Sequence, residues 1–162
     1  MTLKIDNTHD WTRDRLFPMW PSILANLRKF VAQMSDDITE EFVIETIMSG
    51  RHTLWVIYEE DRPDVAVLCI LTEVKKNDAT GRIFIEVTGM GGNRVHECLP
   101  LGQVIEDWGM ENHGATEMMM IGRIGWRKVM KQHGYNETAV IMKKKLEGFR
   151  HGRQQQQQSI SE

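Results

Sequence analysis

The chain is poor in the residues that build special frameworks. Among 162 residues there are two cysteines, Cys69 and Cys98, and nowhere a Cys-x-x-Cys pair. A disulfide scaffold is therefore excluded, and two thiols without a secretory leader fit a reducing, cytoplasmic compartment. The stretch His96-Glu97-Cys98 gathers a nitrogen, an oxygen and a sulfur donor, but no second ligand pair follows, so no metal is expected. Long apolar runs are missing as well. The longest clean one, residues 65–71, falls far below the roughly 20 residues that span a bilayer, so no membrane partner is expected. Nor is there an excess of one charge: 20 Lys and Arg stand against 23 Asp and Glu, a formal net charge of -3, which argues against a nucleic-acid partner held mainly through phosphates. Internal repeats are absent. With 41% hydrophobic and 27% charged residues, what remains has the composition and length of one globular domain.

The apolar residues carry two periods. After a short strand near Leu3 and Ile5, Pro18 and Pro21 mark a boundary, beyond which Trp20, Ile23, Leu24, Leu27, Phe30, Val31 and Met34 recur at helical spacing. Asp37 or Thr39 caps a second helix that stops at Gly50. The period then shortens to that of strands in residues 53–58, 65–71 and 82–88, a three-strand meander. Gly89, Gly91 and Gly92 read as a loop. Leu101, Val104, Ile105 and Trp108 restore a helix, Pro100 barring an unbroken one from Arg94. Residues 117–121 predict a strand in which Met119 faces away from Met118 and Met120. A helix carrying Trp126, Val129, Met130 and His133 ends at Gly134, and residues 138–146 predict a last strand. Residues 1–146 thus form a single domain, while 147–162, with the homopolymer Gln154 to Gln158, form a polar tail with nothing to bury.

This α/β order, strand-helix-helix-three-strand meander-helix-strand-helix-strand, resembles the GNAT superfamily of N-acyltransferases. The run Met118-Met119-Met120-Ile121-Gly122-Arg123-Ile124-Gly125-Trp126-Arg127-Lys128-Val129-Met130-Lys131-Gln132-His133-Gly134-Tyr135 is similar to that family's fifth strand and following helix, which runs into Gly-Tyr. The resemblance covers about residues 3–146. It implies a mixed α+β sheet that splays between its fourth and fifth strands, with the pantetheine arm of acetyl-CoA or another acyl-CoA in the splay. Backbone amides after the fourth strand would hold the pyrophosphate, for which free N–H groups and a helix dipole are suited.

On this chain the cofactor-binding residues would be Gly89, Met90, Gly91, Gly92, Asn93, Arg94 and Arg123. The family's Gln/Arg-x-x-Gly-x-Gly/Ala string is absent, Arg123 stands where many members open the helix with asparagine, and Met130 stands where many carry a proton-donating tyrosine. Glu86 matches the position of a general base in some members. Its plainer alternative is a solvating residue that pairs with Arg82. The resemblance implies transfer of an acetyl or acyl group to an amine, on a small molecule or a protein. The departures support a second reading, a catalytically inactive scaffold resembling small GNAT-like virion or assembly proteins of tailed phages, with the Gln-rich tail docking on a larger assembly. Late basic residues, Arg123, Arg127, Lys128, Lys131, Lys143 to Lys145, Arg150 and Arg153, would meet coenzyme A phosphates, nucleic acid or an acidic protein, or form a solvated face.

Overall fold

The computed structural model describes residues 2–34 and 37–146. Strand β1 (Leu3–Asn7) is followed by helices α1 (Arg13–Gln33) and α2 (Glu40–Met48), then by strands β2 (Thr53–Glu59), β3 (Arg62–Lys76) and β4 (Ile83–Gly92). Helix α3 (Val95–Cys98), a 3₁₀ turn (Leu99–Leu101) and helix α4 (Gly102–His113) lead to strand β5 (Glu117–Met120) and helix α5 (Trp126–Lys131). The five strands lie in chain order, antiparallel from β1 to β4, with β5 parallel to β4.

Two layers cover this sheet because its strands alternate. Leu54, Val56, Cys69 and Leu71 face one side and meet Met19, Ile23, Leu27 and Phe30 of α1, with Val43 of α2. Each such fully buried side chain contributes about 1.5–3 kcal/mol. Trp55, Ile57, Ile70, Ile85 and Val87 face the other side and meet Cys98 and Ile105. Thr39 caps α2, its hydroxyl accepting from the Phe42 amide at 3.2 Å.

Four expectations change. Helix α1 starts at Arg13, so the boundary expected at Pro18 and Pro21 lies inside it, with Pro21 well beyond the first turn. Pro18 and Pro21 are the sixth and ninth helical residues, so the Asp14 and Phe17 carbonyls lack the amide donor four residues on. The glycines Gly89, Gly91 and Gly92 continue β4 instead of opening a loop, opposite Leu71, Cys69 and Leu68 of β3. Strand β3 spans Arg62–Lys76, running well past the 65–71 expected from the sequence. Residues 138–146 form no strand among the described residues: Val140, Ile141 and Met142 are exposed and pair with no neighbour in the sheet. The tail, 147–162, lies outside the described residues.

Pro100 acts as expected. It falls in the 3₁₀ turn between α3 and α4, where its missing N–H and ring bulk prevent a continuous α-helix.

Candidate active site where β4 and β5 part

Strands β4 and β5 pair only from Phe84 opposite Glu117 to Val87 opposite Met120. Beyond that point β5 ends while β4 continues to Gly92. On its other edge β4 carries a bulge: Val87 faces Thr72 and Gly89 faces Leu71, leaving Thr88 as the extra residue. A bulge adds local twist and turns a strand away from its neighbour. The bulge and the end of the β5 ladder coincide, so the sheet opens there.

The opening is a slot with a chamber on each face of the sheet. One, of about 380 Å³, lies under α1 and is bounded by Phe30, Met34, Thr88, Gly89, Met120 and Trp126. The other, of about 260 Å³, lies under α4 and α5 and is bounded by Ile105, Glu106, Met118, Met130, His133 and Tyr135. Val87 and Met90 line both. The methionine triplet divides as its alternation predicts: Met118 and Met120 pack with the α4-side core, while Met119 is partly exposed.

Glu86 is buried at 6% exposure and lies on the face opposite Ile85 and Val87, toward α1 and α2. Its ion-pair partner is the Lys75 ammonium, not Arg82, which pairs with Glu117. Directly across the ladder stands Glu73. Two carboxylates face to face would repel, and cations resolve this. Glu73 accepts from Arg51 Nε at 3.2 Å and meets His52 Nε2 at 3.1 Å, and Lys75 Nζ is 3.9 Å away. Burial raises the Glu73 pKa, but the hydrogen bonds from Arg51 and His52 outweigh it and hold the group below its ordinary value. The His52 Nδ1 atom is buried without a partner among the described residues.

The residues expected to grip a phosphate divide into two sets. Gly89, Met90 and Arg123 line the α1-side chamber, and Arg123 also donates from Nη2 to Gln33 Oε1 at 2.9 Å, bridging α1 to the segment after β5. Gly91, Gly92, Asn93 and Arg94 line neither chamber. A Cβ on Gly91 would sit 2.2 Å from the Asn26 carbonyl oxygen, and one on Gly92 would sit 2.5 Å from the Val67 oxygen, so these glycines serve close packing. Arg94 holds a left-handed backbone at φ 54°. Its guanidinium bonds Glu97 at 2.7 Å and also pairs with buried Glu59, partners that hold it protonated and take up its charge.

Sequence reasoning missed several groups. Lys29 of α1 reaches Asn93 Oδ1 at 3.0 Å, just past the end of β4, but its helical position reads only as a polar face. Tyr135 belongs to the quoted Gly-Tyr ending, yet nothing local marked it as a cavity wall. Its amide donates to the Met130 carbonyl at 3.1 Å, and burial, then the negative charge of Glu106, push the phenol up to about 12. Burial likewise pushes the Cys98 thiol up to about 11. No group of three or more potential metal ligands is assembled among the described residues, and no helix among them is long and apolar enough to cross a membrane.

No protein-family model and no curated protein matches the chain. Solved structures do match it along nearly its whole length. AAC(6')-Iy, solved with the bisubstrate analogue CoA-S-monomethyl-acetylneamine, is 15% identical at a TM-score of 0.63, covering 90% of this chain and 99% of its own. Glucosamine-6-phosphate N-acetyltransferase from Arabidopsis thaliana is 14% identical at 0.57, covering 91% and 100%. A predicted acetyltransferase from Clostridium acetobutylicum, solved with acetyl-CoA, is 9% identical at 0.59, covering 90% and 97%. At these identities the likeness shows the fold, that of the GNAT acetyltransferases.

Proposed function

We propose that the protein transfers an acyl group from an acyl-coenzyme A thioester to an amine. The observation that carries this reading is the two-sided slot. An acyl donor in one chamber and an amine in the other meet at the wall formed by Val87 and Met90. Past Val87 the edge of β4 no longer pairs with β5, which leaves main-chain donors and acceptors for an extended, amide-bearing arm. The chambers' methionine and aliphatic walls suit such a thin chain. Arg123 supplies positive charge at the α1-side chamber and Lys29 beside Asn93 after β4, a task that Arg94 cannot take over while Glu59 and Glu97 hold it. When bound, the thioester supplies an activated acyl carbon.

The chain's own residues supply the proton steps. The Glu86 carboxylate, on the α1 face two residues before Thr88 of the chamber wall, takes a proton from an ammonium in that chamber through water. On the opposite face the leaving thiolate needs a proton. Met130 has none, whereas the Tyr135 phenol lines the same chamber and keeps its proton at neutral pH. The acceptor is an amine, on a small molecule or a protein, and the paired carboxylates Glu73 and Glu86 favour a cationic one. A cytoplasmic setting belongs to this proposal. The rival scaffold of a virion or assembly depends on the tail outside the described residues, and an open slot gives it no support.

Two measurements test this reading. Acetyl-coenzyme A at a hundredfold excess over its Kd stabilises the native state by about 2.7 kcal/mol, which in a domain of this size raises the melting temperature by roughly 5–10 °C. No shift and no calorimetric heat at millimolar concentration overturns the proposal. Tyr135→Phe is expected to lower kcat by roughly 10–100-fold with acetyl-coenzyme A. The deficit shrinks with a thioester of acidic leaving thiol, which departs without needing a proton. An equal deficit with both donors removes Tyr135 from the acid role.

A further inference from the structure

Lys75 stands beside Glu86 and has no task in the proposed reaction. It lies at the end of β3, its side chain 38% exposed, with its ammonium on Glu86 and 3.9 Å from Glu73. The register sets Lys75 opposite Phe84 and Glu73 opposite Glu86, so Lys75 reaches back along one face to place its charge between the two carboxylates. Glu73 is already served by Arg51 and His52, and Lys75 is the ion-pair partner found for Glu86 among the described residues. The carboxylate assigned to deprotonate an amine therefore already holds one. Glu86 also lies only two residues before Thr88, where the slot opens.

We infer that Lys75 is itself an acceptor of this site and becomes acylated on Nζ by an acyl thioester, an inference that rests on the acyltransfer reading above. The Lys75 ammonium gives a proton to Glu86. The freed Nζ lone pair forms a bond to the thioester carbonyl carbon, the C–S bond breaks, and the thiolate leaves and takes up a proton. The products are an amide on Lys75 and a free thiol, with no change of oxidation state. The amide carries no charge, so Glu73 and Glu86 are left with one cation fewer, and a cationic acceptor arriving afterwards meets a more negative surface.

Lys76 provides an internal control, since it is the next residue on the strand, exposed, and on the opposite face by strand alternation. The experiment exposes the full-length protein to acetyl-coenzyme A or, separately, to the acetyl thioester of N-acetylcysteamine, which lacks the nucleotide. Acetyl occupancy at each lysine is then quantified by peptide mass spectrometry. Expected is roughly tenfold or greater preference for Lys75 over Lys76 with either donor, lost in Glu86→Gln. Equal labelling of the two lysines, or a preference that survives Glu86→Gln, overturns the inference. If acetyl-coenzyme A binds and an added amine is acetylated while Lys75 stays unlabelled, this inference falls alone. If coenzyme A does not bind but the short thioester labels Lys75 in a Glu86-dependent way, the acyltransferase reading falls and the Lys75 chemistry stands.

Discussion

Glu86→Gln is expected to lower kcat/KM for amine acetylation by roughly 10²–10⁴-fold, the usual span for removing a positioned general base. The substitution keeps the size of the side chain and one carbonyl oxygen but removes the site that accepts a proton. Its fold should survive, because the Lys75 ammonium it releases is partly exposed and can turn into solvent. The melting-temperature shift produced by acetyl-coenzyme A should also survive, since Glu86 lines neither chamber of the slot. Turnover falling while cofactor binding stays intact separates a lost base from a collapsed site. Glu86→Asp should restore part of the rate, its carboxylate being shorter by one methylene. Unchanged turnover in Glu86→Gln would assign Glu86 to a structural ion pair with Lys75.

Gly91→Ala should cost about 3 kcal/mol, at the upper end of what overpacking a filled interior usually costs. The added Cβ would stand 2.2 Å from the Asn26 backbone oxygen and 3.0 Å from Phe30 Cβ. A backbone oxygen inside a helix cannot rotate away, so α1 would have to lift off the sheet. That movement would also disturb the Asn26 side chain, which donates to the Ala66 oxygen at 3.0 Å, and the packing of Phe30 against Gly89. In a chain of this length the loss corresponds to a fall in melting temperature of roughly 6–12 °C, measured by circular dichroism. Gly102→Ala is the matched control. Nothing lies within 4 Å of a Cβ there and the residue is helical, so that variant should melt at or above the parent temperature. A Gly91→Ala protein that melts with the parent would show that the close approach of α1 is not needed.

These two residues show where local sequence is informative and where it is not. A carboxylate on an alternating strand is visible in the chain, but the identity of its partner is not. Arg82, four residues away, is the local candidate for Glu86, and the observed partner Lys75 comes from the neighbouring strand through the β3–β4 register. The glycines of β4 were visible too, and a glycine-rich stretch after a strand is compatible with either a phosphate loop or a tightly covered strand. The choice depended on Phe30 and Asn26, some sixty positions earlier. Arg94, which the resemblance implies for the pyrophosphate loop, is held by Glu59, 35 residues away in sequence. Residues 138–146 have the composition of a strand, yet no neighbour in the sheet accepts them among the described residues.

Helical and strand periods, the Thr39 cap, the turns at Gly50, Gly114 and Gly134 with their positive φ, and the order of elements as far as α5 were decided by the sequence alone. Each depends on hydrogen bonds and side-chain spacing within a few residues, and such preferences act before the chain has folded. Tertiary structure decided which charges are spent and which remain free, which glycines make room for a helix, and where β4 leaves β5. Those outcomes depend on strand register and on which faces meet, and both are set by the joint burial of side chains far apart in sequence.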